Sequence, residues 1–360
     1  MNIDKFEEDI KKCRFCFMCR HLSAVGNVTF READTPRIRS SMIWGVMLDK
    51  SKLSNADFID TIYSCDMSAA CRFHCVNHWD ENGAVLAARR DIVGAGLAPK
   101  DVSKLSKKIL SSPAAASVSG ASDIVYYADA DTMALPGEME AFDKIAKKSK
   151  IKYATATGGD CGKALKVMGY WQQAKERLGE FVDSLTAAKA KTVVVSSPYV
   201  YDALVNDTAE FGIKLSAKPM HVSEFILAQK LKFPRAAGEV YYLESDYLKN
   251  YNSNLKFPRQ LLSRLKASSP AEFTTDILDE EIPYMFGTNN EESYTCGEGA
   301  VVFAQLRPQI VKKMAKYVEA RVGNPKADVL ITASPYTKIQ LSKNTKVKVL
   351  TLTELAAGCL

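Results

Sequence analysis

AKTVVVSSPYVYDAL, residues 190–204, returns near the end of the chain as ADVLITASPYTKIQL, residues 327–341. Each copy runs a short β-branched, apolar stretch into Ser-Pro-Tyr and then into a helical pattern. Proline suits the first turn of a helix, where its missing N–H deprives no acceptor. Other pairs recur in the same order around these two. DIVYYADA (123–130) matches EVYYLESD (239–246), GGDCGKAL (158–165) matches SYTCGEGAV (293–301), and HVSEFILA (221–228) matches TLTELAAG (351–358). One strand–helix plan used twice explains all four pairs. Together with KYATAT (152–157), the short strands alternate with helical segments such as GEMEAFDKIAKKSK and MGYWQQAKERLGEFVDSLTAAKA. That alternation predicts an α/β fold with mostly parallel sheet.

The first hundred residues carry no such alternation. They read as helices and loops: a helix over about 2–12, one opening at Thr-Pro over 35–48, one near 55–64 and one in 81–96. The chain therefore divides into a helical domain (1–105), a linker rich in Ser, Ala and Lys (106–122), a first α/β domain (123–235) and a second (236–360), joined near LKFPRAAGE (231–239). The composition is that of a globular protein, with 47% hydrophobic and 25% charged residues. The formal charge of +6 comes from 48 basic and 42 acidic residues. It forms no dense basic stripe, which argues against nucleic acid. No stretch of about 18 apolar residues is present to span a bilayer. The start, MNIDKFEEDIKK, lacks the pattern of a signal peptide, so a reducing, cytoplasmic setting is expected.

In that setting the nine cysteines do not read as a disulfide framework, and six of them fall within residues 1–75. KKCRFCFMCRHL (11–22) spaces Cys13, Cys16 and Cys19 three residues apart, and IYSCDMSAACRFHCVNHWD holds Cys65, Cys71 and Cys75. Thiolates at this spacing wrap three corners of an iron–sulfur cubane, with a remote cysteine closing the fourth, as in bacterial ferredoxins. Crossed ligation gives one complete [4Fe–4S] site: Cys13, Cys16, Cys19 and Cys75. The companion site keeps only Cys65 and Cys71, with Ser23 and Ser68 where thiolates belong. It is either lost or an atypical second cluster, because a serine oxygen is a harder ligand for iron. Zinc held by four cysteines is the competing reading, though it usually uses two paired knuckles. Arg14, Arg20 and Arg72 stand beside the ligands as potential-raising or docking charges, or as solvated residues. His74 and His78 flank Cys75 as surface or supporting groups.

This order of motifs resembles the iron–sulfur subunits of the heterodisulfide reductase, anaerobic glycerol-3-phosphate dehydrogenase and glycolate or lactate oxidase group. These have a helical two-cluster ferredoxin-like domain followed by two cysteine-rich CCG domains. Thr35-Pro36-Arg37 looks like the family's Ser-Pro-Arg, and LAARRDIVGAGLAP (86–99) like the helix after its second cysteine run. Gly162 and Gly297 are similar to the glycine of Cys-Cys-Gly. The departures are clear. Each repeat keeps one cysteine, Cys161 after Asp160 and Cys296 after Thr295. Ser197 and Val200, and Ser334 and Thr337, stand where the family has Cys-Pro-x-Cys, and Asp246 stands near the place of a leading cysteine. Heterodisulfide chemistry is therefore not expected, and Cys161 and Cys296 read as buried thiols behind a glycine turn.

The resemblance implies an electron-transfer subunit rather than an enzyme acting alone, and no catalytic residue is assigned. A flavin-containing dehydrogenase subunit would donate electrons, and a further electron carrier would accept them. No nucleotide-binding glycine motif supports a flavin or nicotinamide in this chain itself. Two alternatives stand beside it. One is a catalytic reductase subunit with a new active site between the repeats, Asp160 and Asp246 facing inward. The other is a non-redox interaction protein stapled by zinc.

Overall fold

The computed structural model describes residues 1–72, 75–268 and 294–360. The protein is mixed α/β and mostly helical, with a mainly parallel five-stranded sheet and a small parallel sheet. His74 and the stretch TNNEES before Tyr294 lie outside the described residues.

The N-terminal region is built from α1 (Glu7–Lys11), α2 (Ala24–Thr29), α3 (Pro36–Leu48), α4 (Ala56–Tyr63), α5 (Glu81–Gly94) and α6 (Lys100–Leu110). Side chains cap three of their free N-terminal amides: Ser23 accepts from Gly26, Asn55 from Phe58 and Asp80 from Gly83. The opening helix expected over 2–12 is a 3₁₀ turn over Asn2–Phe6 running into α1. The carboxylate of Asp91 on α5 receives the amides of Asn2 (2.8 Å) and Ile3 (2.9 Å) and holds this turn in place.

The first repeat adds β1 (Ser117–Ser119), β2 (Ile124–Ala128), α7 (Ala130–Met133), α8 (Pro136–Lys148), β3 (Ala154–Thr157), α9 (Lys163–Met168), α10 (Trp171–Ala187), β4 (Thr192–Val195), α11 (Pro198–Asp202), α12 (Thr208–Phe211), β5 (Lys218–His221) and α13 (Val222–Ala228). Its sheet runs β1-β3-β2-β4-β5, parallel except where β1 pairs antiparallel with β3. The central strands β2 and β4 are covered on both faces, which is why they read as near-continuous apolar runs. Pro219 sits in the edge strand β5, where a missing ladder donor is tolerated. Residues 106–122, expected as a linker, instead hold the last turn of α6 and the edge strand β1.

The second repeat contains β6 (Gly238–Glu239), β7 (Tyr241–Leu243), α14 (Lys256–Arg264), β8 (Ala267–Ser268), α15 (Phe303–Leu306), α16 (Pro308–Glu319), β9 (Val329–Thr332), α17 (Pro335–Asn344), β10 (Lys348–Thr351) and α18 (Leu352–Gly358). Its sheet runs β10-β9-β7, all parallel. The order β2-β4-β5 of the first sheet is thus repeated as β7-β9-β10, as the paired sequence motifs predict. β6 and β8 form a separate parallel pair.

Apolar packing joins the parts. One core runs continuously from the helical region (Ile3, Ile43, Ile62, Tyr63, Ile92) into one face of the first sheet (Leu165, Phe181, Val193). A second core lies between the two repeats, where Tyr126, Phe142 and Phe225 meet Tyr242, Ile331 and Leu355. Within it, Glu138 of α8 accepts hydroxyl protons from Ser196 beyond β4 and Thr351 at the end of β10, linking the two sheets through one buried carboxyl.

The helical region also touches both repeats through polar contacts. Tyr63 donates to the carbonyl of Met168 (2.9 Å) and Arg89 to that of Val167 (2.8 Å). On the other side, Tyr251 donates to Met67 O, and Asn250 donates to Ser68 O at 2.6 Å. Gly299 lies flat against that loop, so a Cβ there would fall 2.2 Å from Met67 O. Replacing Gly299 with alanine should therefore force the 65–72 loop away from the second repeat and destabilise the fold by roughly 1–3 kcal/mol. Urea denaturation checks this as a lowered midpoint with an unchanged slope.

Candidate metal centre

Cys13 stands one residue past α1, after Lys12, its amide donating to Ile10 O at 2.9 Å. From there to Leu22 the chain forms no helix or strand, and Phe15 takes a left-handed turn at φ 52. Cys16 is exposed, Cys13 half-buried and Cys19 buried. A charged brace fixes the loop: Glu32 accepts from Arg20 Nε (2.8 Å) and from the Arg37 guanidinium (2.8 Å). The two arginines together hold its carboxyl below the usual range. Arg37 also donates to Phe15 O (3.3 Å) and lies over the ring of Phe17, 4.1 Å from its centre.

Burial pushes the Cys19 thiol up to about 12, with Glu81, Cys13 and Cys16 adding to the rise; the backbone N–H of Arg37 opposes it by donating to the sulfur. That N–H belongs to the first turn of α3, so Cys19 sits at the positive end of a 13-residue helix. Cys75 is half-buried on a separate turn, where its amide donates to Arg72 O (3.2 Å) and its carbonyl accepts from His78 N–H (2.9 Å). Cys13, Cys16, Cys19 and Cys75 are all free thiols, three of them on one loop with the Arg37 amide directed at the Cys19 sulfur, and thiolates are the ligands an iron–sulfur cluster takes. Among the described residues, however, no three His, Cys, Asp or Glu side chains stand close enough together to hold a metal ion.

The second group is built differently. Cys65 and Cys71 are buried, and Cys71 donates its S–H to Glu81 Oε2 at 2.6 Å. The other oxygen of Glu81 accepts from Arg39 Nε, and Arg39 also donates to Asp34 O at 2.8 Å. Arg39 and Glu81 are 3% and 1% exposed, so this ion pair is sealed from water. Burial pushes Cys65 up to about 12, while Arg39 opposes the rise. Cys71 is also raised, by burial and by Glu81. The serines have other duties. Ser23 caps α2 and donates to Asp34 O (2.7 Å), and Ser68 hydrogen-bonds Asp66. With a protonated thiol bonded to a carboxylate, a guanidinium beside it and both serines engaged, Cys65, Cys71, Ser23 and Ser68 do not fit a second cluster. The sequence alone could not show this, because Arg39 and Glu81 lie on helices far from the cysteine spacing.

In the repeats, Cys161 and Cys296 are buried, each followed by a left-handed glycine, Gly162 at φ +74 and Gly297 at φ +85. Asp160 accepts from Arg177 Nε (3.3 Å) and from Gly162 N–H (3.0 Å). Asp246 accepts from Thr295 Oγ1 (2.5 Å) and Gly299 N–H (3.2 Å). The repeats do enclose a cavity of about 840 Å³, but neither Asp160 nor Asp246 lines it. Its acidic group is Asp131, and both Ser-Pro-Tyr tyrosines, Tyr199 and Tyr336, face it. Asp131 lies one residue past the repeated motif DIVYYADA, so the repeat does not mark it, although its place after β2 is a usable signal.

No protein-family model matches the chain. No curated protein matches it. A solved structure from Yersinia pestis, described as a "putative Asp/Glu Racemase", aligns over 65% of this chain and 95% of its own, at 16% identity and a TM-score of 0.27. So slight a likeness assigns no family. Among the described residues, no helix is long and apolar enough to cross a membrane.

Two outcomes follow from the buried charges. Changing Arg39 to methionine should destabilise the protein by about 3–5 kcal/mol by stranding Glu81, and adding Glu81→Leu should recover most of the loss; chemical denaturation of the single and double variants measures both. Burial pushes Asp246 up to about 8 from an ordinary 3.8, Lys249 opposing and Glu298 and Asp66 adding to the rise. The folded state thus holds this proton more tightly than the unfolded chain. The stabilisation is complete below the unfolded pKa and is lost as pH rises to the folded one. Asp246→Asn should therefore gain stability relative to the parent between about pH 4 and about pH 8, read as a difference in melting temperature that grows with pH.

Proposed function

We propose that this chain is an iron–sulfur electron-transfer subunit in which Cys13, Cys16, Cys19 and Cys75 hold one [4Fe–4S] cluster. The observation that carries the reading is the Cys13–Cys19 loop: three thiols on one irregular segment, with Cys19 beneath the first turn of α3. A cluster held there would pass single electrons. The chain's own residues have separate tasks in this reading. The Arg37 amide favours negative charge on Cys19, and the Arg20–Glu32–Arg37 brace sets the loop's path. Phe17 and Val76, 64% and 72% exposed, give the cysteine segments an apolar outer face suited to a partner.

The partner is a flavin-containing dehydrogenase subunit, and a further carrier takes the electrons on. This follows the resemblance to the heterodisulfide reductase, glycerol-3-phosphate dehydrogenase and glycolate oxidase group, in which the two repeats would be degenerate CCG-type domains. Their role is then to hold subunits together. With Cys71 bonded to Glu81 and Cys65 buried near the Arg39–Glu81 pair, the usual two-cluster wire is shortened to one station, and donor and acceptor must both approach the Cys13–Cys19 loop.

Anaerobically purified protein should be brown and contain about four irons and four sulfides per chain. Cys75→Ala should abolish the colour, while Cys65→Ala should keep it. Colourless protein carrying a single zinc would sink the redox reading, and loss of iron in Cys65→Ala would overturn the ligand assignment.

A further inference from the structure

We propose that the cavity between the two repeats binds a short organic anion, its charged head held by Lys108, Lys312 and Lys343 and its apolar body lying inward. The cavity opens past the C-terminal ends of β2, β4 and β9, which supply Asp131, Tyr199 and Tyr336. Ligands in open α/β sheets bind at these strand ends. Its volume of about 840 Å³ is that of a small-molecule site.

Three helices direct charge to its mouth. Lys108 on α6, Lys312 on α16 and Lys343 on α17 line it and are exposed. None of the three is ion-paired among the described residues, whereas Lys316 and Lys338 on the same two repeat helices are paired with Glu319 and Glu354. Unpaired ammonium groups converging from three elements leave a positive mouth that favours an anion. Below them the wall is apolar, with Ile109, Val301, Val302 and Ile339. The lining also holds the half-buried Asp131, whose carboxyl has no hydrogen-bond or ion-pair partner among the described residues. Burial, with Asp129 and Glu298 adding, pushes it up to about 7. A carboxyl still partly protonated near neutrality can donate to a polar atom at the ligand's inner end instead of repelling it. A positive mouth, an apolar wall and one half-buried carboxyl in the lining fit an amphipathic carboxylate or phosphate. They do not fit a cation or a nucleic acid. The site uses none of the candidate cluster cysteines, so it stands or falls independently of the redox reading.

The test is calorimetric titration of the purified chain with hexanoate, hexyl phosphate and hexylammonium. At least one of the two anions should bind ten-fold or more tightly than the cation, and the better anion identifies the head group. Lys312→Glu combined with Lys343→Glu should weaken that anion at least ten-fold. Lys313→Glu, on α16 but outside the cavity lining, should leave it within two-fold. Ile339→Trp, which fills the apolar wall, should also abolish binding while circular dichroism stays unchanged. Equal binding of anions and cation, or an equal loss in Lys313→Glu and the paired variant, would overturn the proposal.

Discussion

A guanidinium and a carboxylate sealed from water, Arg39 against Glu81, set the arrangement of the N-terminal half. The pair joins α3 to α5, and Glu81 also holds the Cys71 thiol. Burying two charges is expensive unless their geometry and remaining hydrogen bonds are satisfied, and breaking such a pair is far worse than never having it. Arg39 meets that demand by also donating to Asp34 O, whose oxygen in turn accepts from Ser23 at the start of α2. Helices α2, α3 and α5 are thus tied around one charged centre, and the loop carrying Cys65 and Cys71 is drawn inside.

Once inside, that loop acts as a wedge. Its backbone carbonyls at Met67 and Ser68 accept from Tyr251 and Asn250 of the second repeat, and Gly299 leaves room for the contact. On its other flank Arg89 donates to Cys65 O (2.8 Å) while reaching Val167 of the first repeat. The segment that spacing marks as a cluster-binding loop therefore forms part of the helical region's contact with the second repeat, while Tyr63 and Arg89 reach the first. The other cysteine loop, at Cys13–Cys19, stays at the surface. The two halves of an apparent ferredoxin pattern have different physical environments, one buried and charge-locked, the other partly exposed, with Cys16 at the surface and Cys19 buried, and held by Arg37 and the Arg20–Glu32 pair.

Much of the fold was legible because periodicity reports burial directly. The runs IVYYA, TVVV and VLIT are strands, and Ser-Pro-Tyr starts a helix in both copies. Repetition of the strand order follows from repetition of the motifs. Within the segment expected as a linker, the last turn of α6 and β1 are regular while 111–116 and 120–122 form no helix or strand; Ser, Ala and Lys are compatible with a helix when one face is apolar, and Val102, Leu105 and Ile109 give α6 that face. The site was harder to read. Cysteine spacing describes which thiols could share a metal, but not which of them a distant arginine and glutamate will claim. Nor did the motifs single out Asp131, which matters only because the strands of both repeats converge on one cavity.

The account rests on Cys65 and Cys71 being interior groups while Cys13 and Cys16 remain accessible. Alkylation of the metal-free native chain with iodoacetamide, mapped residue by residue by mass spectrometry, tests this directly. Cys16 and Cys13 should react quickly, and Cys65 and Cys71 only at the rate of global unfolding. Modification of Cys65 and Cys71 in the native state as fast as Cys16 would contradict it.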